Sequence, residues 1–96
     1  MKYVVVAING IEVVTVFQEL VTHLGVAEGI LSRERRIGNE ARLVSAGFCA
    51  FGVNAAGQIV ARVWGESESC QMDSRPEDAV LLGIAMRAQF VPELVS

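Results

Sequence analysis

Residues 2–14 read KYVVVAINGIEVV, and this stretch decides how the fold begins. The run of β-branched residues at 2–8 predicts a strand. Asn9-Gly10 is the favoured dipeptide of a two-residue type I′ turn, because both central positions of that turn need a positive φ angle. We therefore expect residues 11–14 to return antiparallel to the first strand.

The segment after the hairpin has the pattern of a short helix. Thr15 and Gln18 stand at the spacing of a capping box, in which each side chain satisfies a free backbone N–H at the helix start. Gly25 suits the position just after the helix end. Residues 26–41 have the least regular pattern, with a polar, charged run at 32–36 and turn residues at Gly38-Asn39, and they predict a mobile surface loop. The apolar stripe of the helix has the spacing i, i+3, i+4, i+7 and consists of Phe17, Leu20, Val21 and Leu24.

Two further strands are predicted at 42–53 and 58–64, joined by a turn at 54–57. In the second of them, apolar residues alternate with others, so one face should point to the core. Residues 67–72 could pair as a third, polar edge strand. The sequence thus predicts one α+β domain over residues 1–96, a small antiparallel sheet with two helices in the order β-β-α-β-β-(β)-α.

The last predicted helix covers residues 75–90 and is expected to end before Pro92. Ser74 and Glu77 form a second capping box, and Pro76 is tolerated in the first helical turn. This helix carries apolar side chains on almost all of its sides, and such a helix is usually buried on most sides. Since one sheet can cover only one side, we expect the first helix or a second subunit to cover the other. The sequence therefore favours a homodimer.

The overall composition excludes several classes of protein. Of the 96 residues, 52% are hydrophobic and 20% are charged, and the net charge is −3. Nucleic-acid binding is not expected, since it needs a basic face. The apolar segments are too short or too interrupted for a signal peptide or a membrane span, so we expect a soluble, cytoplasmic protein with no membrane partner. The apolar surplus instead indicates an association surface.

The residues that usually carry chemistry are few and scattered. His23 is the single histidine, and we expect it on the surface of the first helix with no nucleophile beside it. Cys49 and Cys70 match no zinc spacing, and both are expected to be reduced and buried. The glycines match neither a dinucleotide fingerprint nor a phosphate loop. The sequence thus predicts no catalytic residue, no metal site and no cofactor.

Three groups of residues are candidates for binding. Trp64 could anchor an interface if no helix covers its face of the strand, since tryptophan is enriched at binding hot spots. Arg33, Arg35 and Arg36 form the one dense basic cluster, which could contact phosphate or an acidic partner. Ser74 and Arg75, at the start of the last helix, could hold an anion. Each group also has an interpretation without binding. Trp64 could pack in the core, the arginines could be solvated, and Ser74 could cap the last helix.

Several segments resemble small uncharacterised proteins encoded by phages and prophages. These segments cover about half of the chain: Lys2–Val6, Gly10–Val13, Val44–Cys49, Trp64–Ser69 and Ser74–Ala79. The charged segment 32–40 resembles an insertion relative to that pattern, so no role is carried over to its arginines. The resemblance implies a viral or mobile-element origin and brings no activity with it.

The leading hypothesis is a non-enzymatic phage-type accessory protein that associates with a host or viral protein, as in host takeover or counter-defence. It would act in the host cytoplasm. One alternative is a protein that binds a small anionic, nucleotide-like ligand. The other is a small enzyme of unknown class.

Overall fold

The computed structural model describes the backbone of residues 1–95 and the side chains of residues 1–88. It confirms the α+β class and the predicted order of elements. A four-stranded antiparallel sheet has the strand order β2-β1-β3-β4, and two short strands form a separate ribbon. The elements are β1 (Lys2–Ile8), β2 (Ile11–Phe17), α1 (His23–Arg36), β3 (Ala41–Val53), β4 (Ile59–Trp64), β5 (Glu66–Ser67), β6 (Met72–Asp73) and α2 (Pro76–Val95).

The predicted hairpin is present, and its first strand, β1, lies in the interior of the sheet. Asn9 has a φ angle of 50° and Gly10 one of 82°, as a type I′ turn requires. β1 pairs with β2 on one side and with β3 on the other, with a register shift on the β3 side between Val5 and Val6. Five consecutive residues of β1, Tyr3–Ala7, are buried. Because β1 is covered on both faces, its continuous apolar run suits a central strand.

The helix predicted after Thr15 is wrong. Strand β2 continues through Thr15 to Phe17, which pairs with Lys2. Its β-branched residues gain a full partner strand, and this pairing outweighs the helical spacing of the apolar residues. Helix α1 begins at His23, where the side chain of Thr22 accepts a hydrogen bond of 3.0 Å from the Gly25 N–H.

The loop predicted at 26–41 is wrong over most of its length, because α1 continues to Arg36. Ala27 is the buried apolar residue of this helix and packs against Val4 and Ala46 of the sheet. The helix is thus held by its apolar side, while its other charged residues are exposed and Glu34 is largely buried. Tertiary packing of one face stabilises a helix that has two glycines in its interior.

The sheet is covered on both faces. On one face, which we call the α1 face, α1 packs against β1 and β3, and the β5–β6 ribbon lies beside it. On the opposite, α2 face, helix α2 packs mainly against β4. Its Leu82 is buried with Tyr3, Val5 and Cys49. The two helices therefore never share a side of the sheet.

The predicted strands 42–53 and 58–64 agree with β3 and β4 to within one residue. The polar segment 67–72 does not extend the main sheet. Its ends belong to the two-residue strands β5 and β6, which pair only with each other. The intervening residues form the turn of this ribbon, in which Gln71 has a φ angle of 53°.

Helix α2 differs from its prediction at both ends. Ser74 and Glu77 do not form the capping box; Asp78 instead accepts a hydrogen bond of 2.9 Å from the Arg75 N–H. The helix also continues past Pro92 to Val95. A proline removes one N–H donor from a helix, and here the backbone on both sides of it stays helical. Among the described residues, no helix combines the length and the apolar character needed to cross a membrane.

Gly47 lies where strand β3 passes closest to its surroundings. A Cβ atom at this position would lie 2.8 Å from Ser74 Cβ and 2.9 Å from the backbone oxygen of Trp64. We expect Gly47→Ala to lower the free energy of unfolding by about 1–3 kcal/mol, the usual cost of overpacking. Urea denaturation measures this change.

Gly52→Ala is the matched control for this substitution. Gly52 lies in the same strand, but a Cβ atom there would meet nothing within 4 Å. Its unfolding free energy should change by no more than about 0.5 kcal/mol. Equal stability of the two variants would contradict the close packing assigned to Gly47.

Candidate functional site

Trp64 ends strand β4 on the α1 face and is 49% exposed. Helix α2 covers the other side of this strand, where Ala61 and Val63 pack into the core. The indole stacks on the ring of Phe48, with 6.4 Å between ring centroids and 19° between planes. Because α1 packs over β1 and β3, neither helix covers Trp64 within the described part of the chain, and the position suits an interaction anchor.

Helix α2 adds two exposed apolar side chains on the other side of the same strand. Val80 is 60% exposed and Ile84 is 54% exposed, one helical turn apart. Val60 and Val80 line one shallow cleft of about 240 Å³ between strand and helix. We call the four side chains that flank this strand the β4-edge surface: Val60, Trp64, Val80 and Ile84.

Two arginines lie next to the β4-edge surface. Arg62 is exposed between Val60 and Trp64, and it forms no ion pair with any carboxylate of the described residues. Arg87 lines the shallow cleft and donates to the backbone oxygen of Gly83 over 3.1 Å. The surface is therefore apolar and basic, although the chain as a whole has a net charge of −3. The composition predicted an apolar surface but did not single out Arg62.

His23 is buried, which corrects the expectation of a surface histidine. It is the first residue of α1, and its Nε2 lies 2.8 Å from the backbone oxygen of Gly47. A carbonyl only accepts, so Nε2 carries the proton of this hydrogen bond. The ring also meets Phe17 and Phe48 edge-on, at 5.5 Å between centroids in each case. His23 thus attaches the start of α1 to the sheet.

The two cysteines are free and lie on different faces of the sheet. Cys49 is buried in the α2-face core, and burial raises the pKa of its thiol. It therefore stays in the unreactive thiol form. Cys70, in the turn of the ribbon, is only half-buried, whereas the sequence predicted burial of both thiols. Among the residues that the structure describes, no three His, Cys, Asp or Glu side chains come together as possible metal ligands.

The arginine cluster lies on the last turn of α1 rather than in a loop. Arg33 Nη2 is 3.9 Å from Glu34 Oε1, and Arg35 Nη2 donates to the backbone oxygen of Ala41 over 2.8 Å. Arg33 and Arg36, three positions apart, share one side of the helix, whereas Arg35 points to another side, so the three side chains do not form one binding group. Arg35 instead joins Arg42 in lining an open cleft of about 560 Å³.

Ser74 and Arg75 are both engaged within the chain. The Ser74 hydroxyl donates to the backbone oxygen of Gly65 over 2.8 Å. Arg75 Nη2 lies 2.8 Å from Glu12 Oε1 and 2.8 Å from Asp78 Oδ1. Two carboxylates balance this guanidinium, which favours the structural role over anion binding for these two residues.

Asp78 lies at the centre of a buried polar network that the sequence analysis missed. Its side chain is fully buried and accepts from the Tyr3 hydroxyl over 2.6 Å as well as from Arg75. Burial opposes ionisation of the carboxyl, but the hydrogen bonds from Tyr3 and Arg75 outweigh it and lower the Asp78 pKa. Burial and the same hydrogen bond raise the pKa of the Tyr3 phenol. Asp78 is therefore an ionised, compensated charge inside the fold.

Removing the Asp78 charge should destabilise the protein in a pH-dependent way. We expect Asp78→Asn to cost about 3–5 kcal/mol at pH 7, the usual loss when one partner of a buried ion pair is removed. The lowered Asp78 pKa contributes stability above the unfolded carboxyl's value of about 3.9, and this contribution is lost as the pH falls through the folded value.

Urea denaturation of both proteins at pH 7 and at pH 3 tests this role. The difference in unfolding free energy between wild type and Asp78→Asn should shrink at the lower pH. Asp73→Asn removes an exposed carboxylate of strand β6 and serves as the control, with little expected change. A difference that is independent of pH would contradict the ionised state of Asp78.

Comparisons of the chain with models of protein families, with curated proteins and with solved structures find no match. The resemblance to phage-encoded proteins thus stays a prediction.

Proposed function

We propose that this chain is a non-enzymatic, phage-type accessory protein that acts by binding a host or viral protein in the host cytoplasm. The observation that carries the proposal is the β4-edge surface. Trp64, Val80 and Ile84, each about half exposed, flank one strand on its two sides. Such a grouping of exposed apolar side chains is typical of protein-binding surfaces.

The chemistry of the β4-edge surface also indicates the kind of partner. Burying an exposed valine or isoleucine stabilises a complex by about 1.5–3 kcal/mol, and tryptophan and arginine are the residue types most enriched at hot spots. Arg62 needs an acceptor once water is excluded from it. We therefore expect a partner with an apolar patch that is bordered by acidic side chains.

Substitutions at the β4-edge surface should abolish binding without unfolding the protein. Affinity purification from the native host identifies the partner, and titration calorimetry with the purified partner then measures its affinity. We expect Ile84→Glu and Trp64→Ala each to weaken binding at least tenfold, a loss of about 1.4 kcal/mol.

Leu20→Glu is the matched control, since Leu20 is 97% exposed and lies outside the β4-edge surface. Its affinity for the partner should equal that of the wild type. If Ile84→Glu and Trp64→Ala bind as tightly as Leu20→Glu does, the β4-edge surface is not the binding site.

A second candidate function is the binding of a small anionic, nucleotide-like ligand. It is favoured by the cleft that Arg35 and Arg42 line, whose volume of about 560 Å³ lies in the range of ligand pockets. Arg42 forms no ion pair within the described part of the chain, so its charge is available to a ligand. Glu40 at the rim of the same cleft opposes anion binding.

Thermal denaturation with nucleotides at millimolar concentration tests this second function. A ligand at one hundred times its Kd adds about 2.7 kcal/mol of stability, which raises the melting temperature measurably. Arg42→Glu should abolish the increase, whereas Arg33→Glu, outside the cleft, should leave it unchanged. The absence of stabilisation by any anionic ligand would exclude the cleft as a nucleotide site.

A further inference from the structure

Strand β2 is an edge of the main sheet, and its outer side lacks the features that usually prevent pairing with another strand. Proteins protect such edges with lysine, proline, bulges or a covering element. β2 contains no lysine, proline or glycine, and its register with β1 is continuous over seven residues. Its one charge, Glu12, is balanced by Arg75. The strand is therefore a complete and regular template for pairing.

Among the residues whose backbone the structure describes, no strand pairs with the outer side of β2. Helix α1 lies over β1 and β3. Helix α2 lies mainly over β4 and also reaches β2 on the α2 face, where Ala85 and Met86 lie beside Val14 and Val16. The loop that follows β2 turns back towards β1, where Lys2 Nζ donates to the Val21 backbone oxygen over 3.1 Å. Next to the edge, on the α1 face, Ile11 is 70% exposed and Val13 is 43% exposed.

The hairpin geometry determines which backbone groups of β2 are free. In a two-residue hairpin the residues that flank the turn, Ile8 and Ile11, exchange both hydrogen bonds, and bonded pairs then alternate along the ladder. Every second residue from Ile11 therefore bonds to β1. The N–H and C=O groups of the residues between them point outward; these residues are Glu12, Val14 and Val16.

We propose that the free edge of β2 pairs antiparallel with β2 of a second copy of this chain, in a register centred on Val14, to form a two-fold dimer with a continuous eight-stranded sheet. In this register Val14 lies opposite Val14 of the second copy, and Glu12 lies opposite Val16. All the outward backbone groups find partners. A two-fold dimer of this kind uses the same surface twice.

The side chains of the same register are complementary. On the α1 face, Ile11 meets Phe17 of the second copy and Val13 meets Thr15, so the two exposed apolar residues gain neighbours. On the α2 face, Glu12 meets Val16, and no two like charges lie opposite each other. A register in which Glu12 met its own copy would be opposed by repulsion between the carboxylates. This register therefore suits a second copy of the chain as the partner of β2.

The proposed dimer is independent of the β4-edge surface, and sedimentation velocity tests it directly. The wild type should sediment as a dimer at micromolar concentration. Val13→Lys should raise the dimer dissociation constant at least tenfold, because the two new charges would lie within roughly 7–8 Å of each other. Val14→Pro should do the same by removing an outward N–H that β1 does not use. Circular dichroism checks that both variants stay folded.

Disulfide trapping tests the register. In a Cys70→Ser background, Val14→Cys should form a disulfide dimer on mild oxidation, since paired Cα atoms about 5.5 Å apart suit a disulfide. Val16→Cys is the matched control on the same face of the same strand. Its two copies would lie roughly 14 Å apart and should not cross-link.

Three results would overturn this inference. One is a wild-type protein that stays monomeric at millimolar concentration. The edge of β2 would then be open only to a strand of another protein. Another is a dimer that persists in both Val13→Lys and Val14→Pro. The third is equal cross-linking of Val14→Cys and Val16→Cys. Ile84→Glu should leave the dimer intact while it abolishes partner binding, so the two proposals can fail separately.

Discussion

The hydrogen bond between the Tyr3 hydroxyl and the buried carboxylate of Asp78 joins helix α2 to the central strand. A buried charge needs compensation, and Asp78 receives it from Tyr3 and from Arg75, which also reaches Glu12 on β2. The start of α2 is thereby attached to two neighbouring strands. The direction in which this helix crosses the sheet, and hence which of its apolar residues face solvent, depends on this attachment.

The position of α2 makes the two edges of the sheet chemically different. At β4 the helix lies over one side of the edge strand and adds Val80 and Ile84 to it, while Arg62 stands exposed in the strand itself. At β2, α2 makes few contacts through its described residues, and the outward backbone groups of a regular strand are the main feature. At the β4 edge, exposed side chains are available for contacts, whereas at the β2 edge free backbone groups are available for hydrogen bonds. Each edge thus supports one of the two proposals.

The parts of the fold that the sequence predicted correctly depend on neighbouring residues. Asn9-Gly10 and the turn at 54–57 each join two strands that follow one another, so local turn chemistry is enough to pair them. Helix α1 was misplaced because Phe17, Leu20, Val21 and Leu24 have helical spacing, whereas pairing with β1 extends β2 through Phe17. Gly25 indicated the end of that helix, and the charged run at 32–36 indicated a loop where α1 lies, a helix that Ala27 holds against the sheet.

The candidate surfaces likewise depend partly on local sequence and partly on tertiary packing. The sequence by itself determined the α+β class, the hairpin and an apolar excess in the last helix, because these follow from turn residues, periodicity and composition. Only the tertiary structure decided that α1 and α2 lie on opposite faces, that Trp64 is left uncovered, and that Asp78 is buried beside Tyr3. Those outcomes join residues as far apart as Tyr3 and Asp78, and no local pattern encodes a contact across 75 positions.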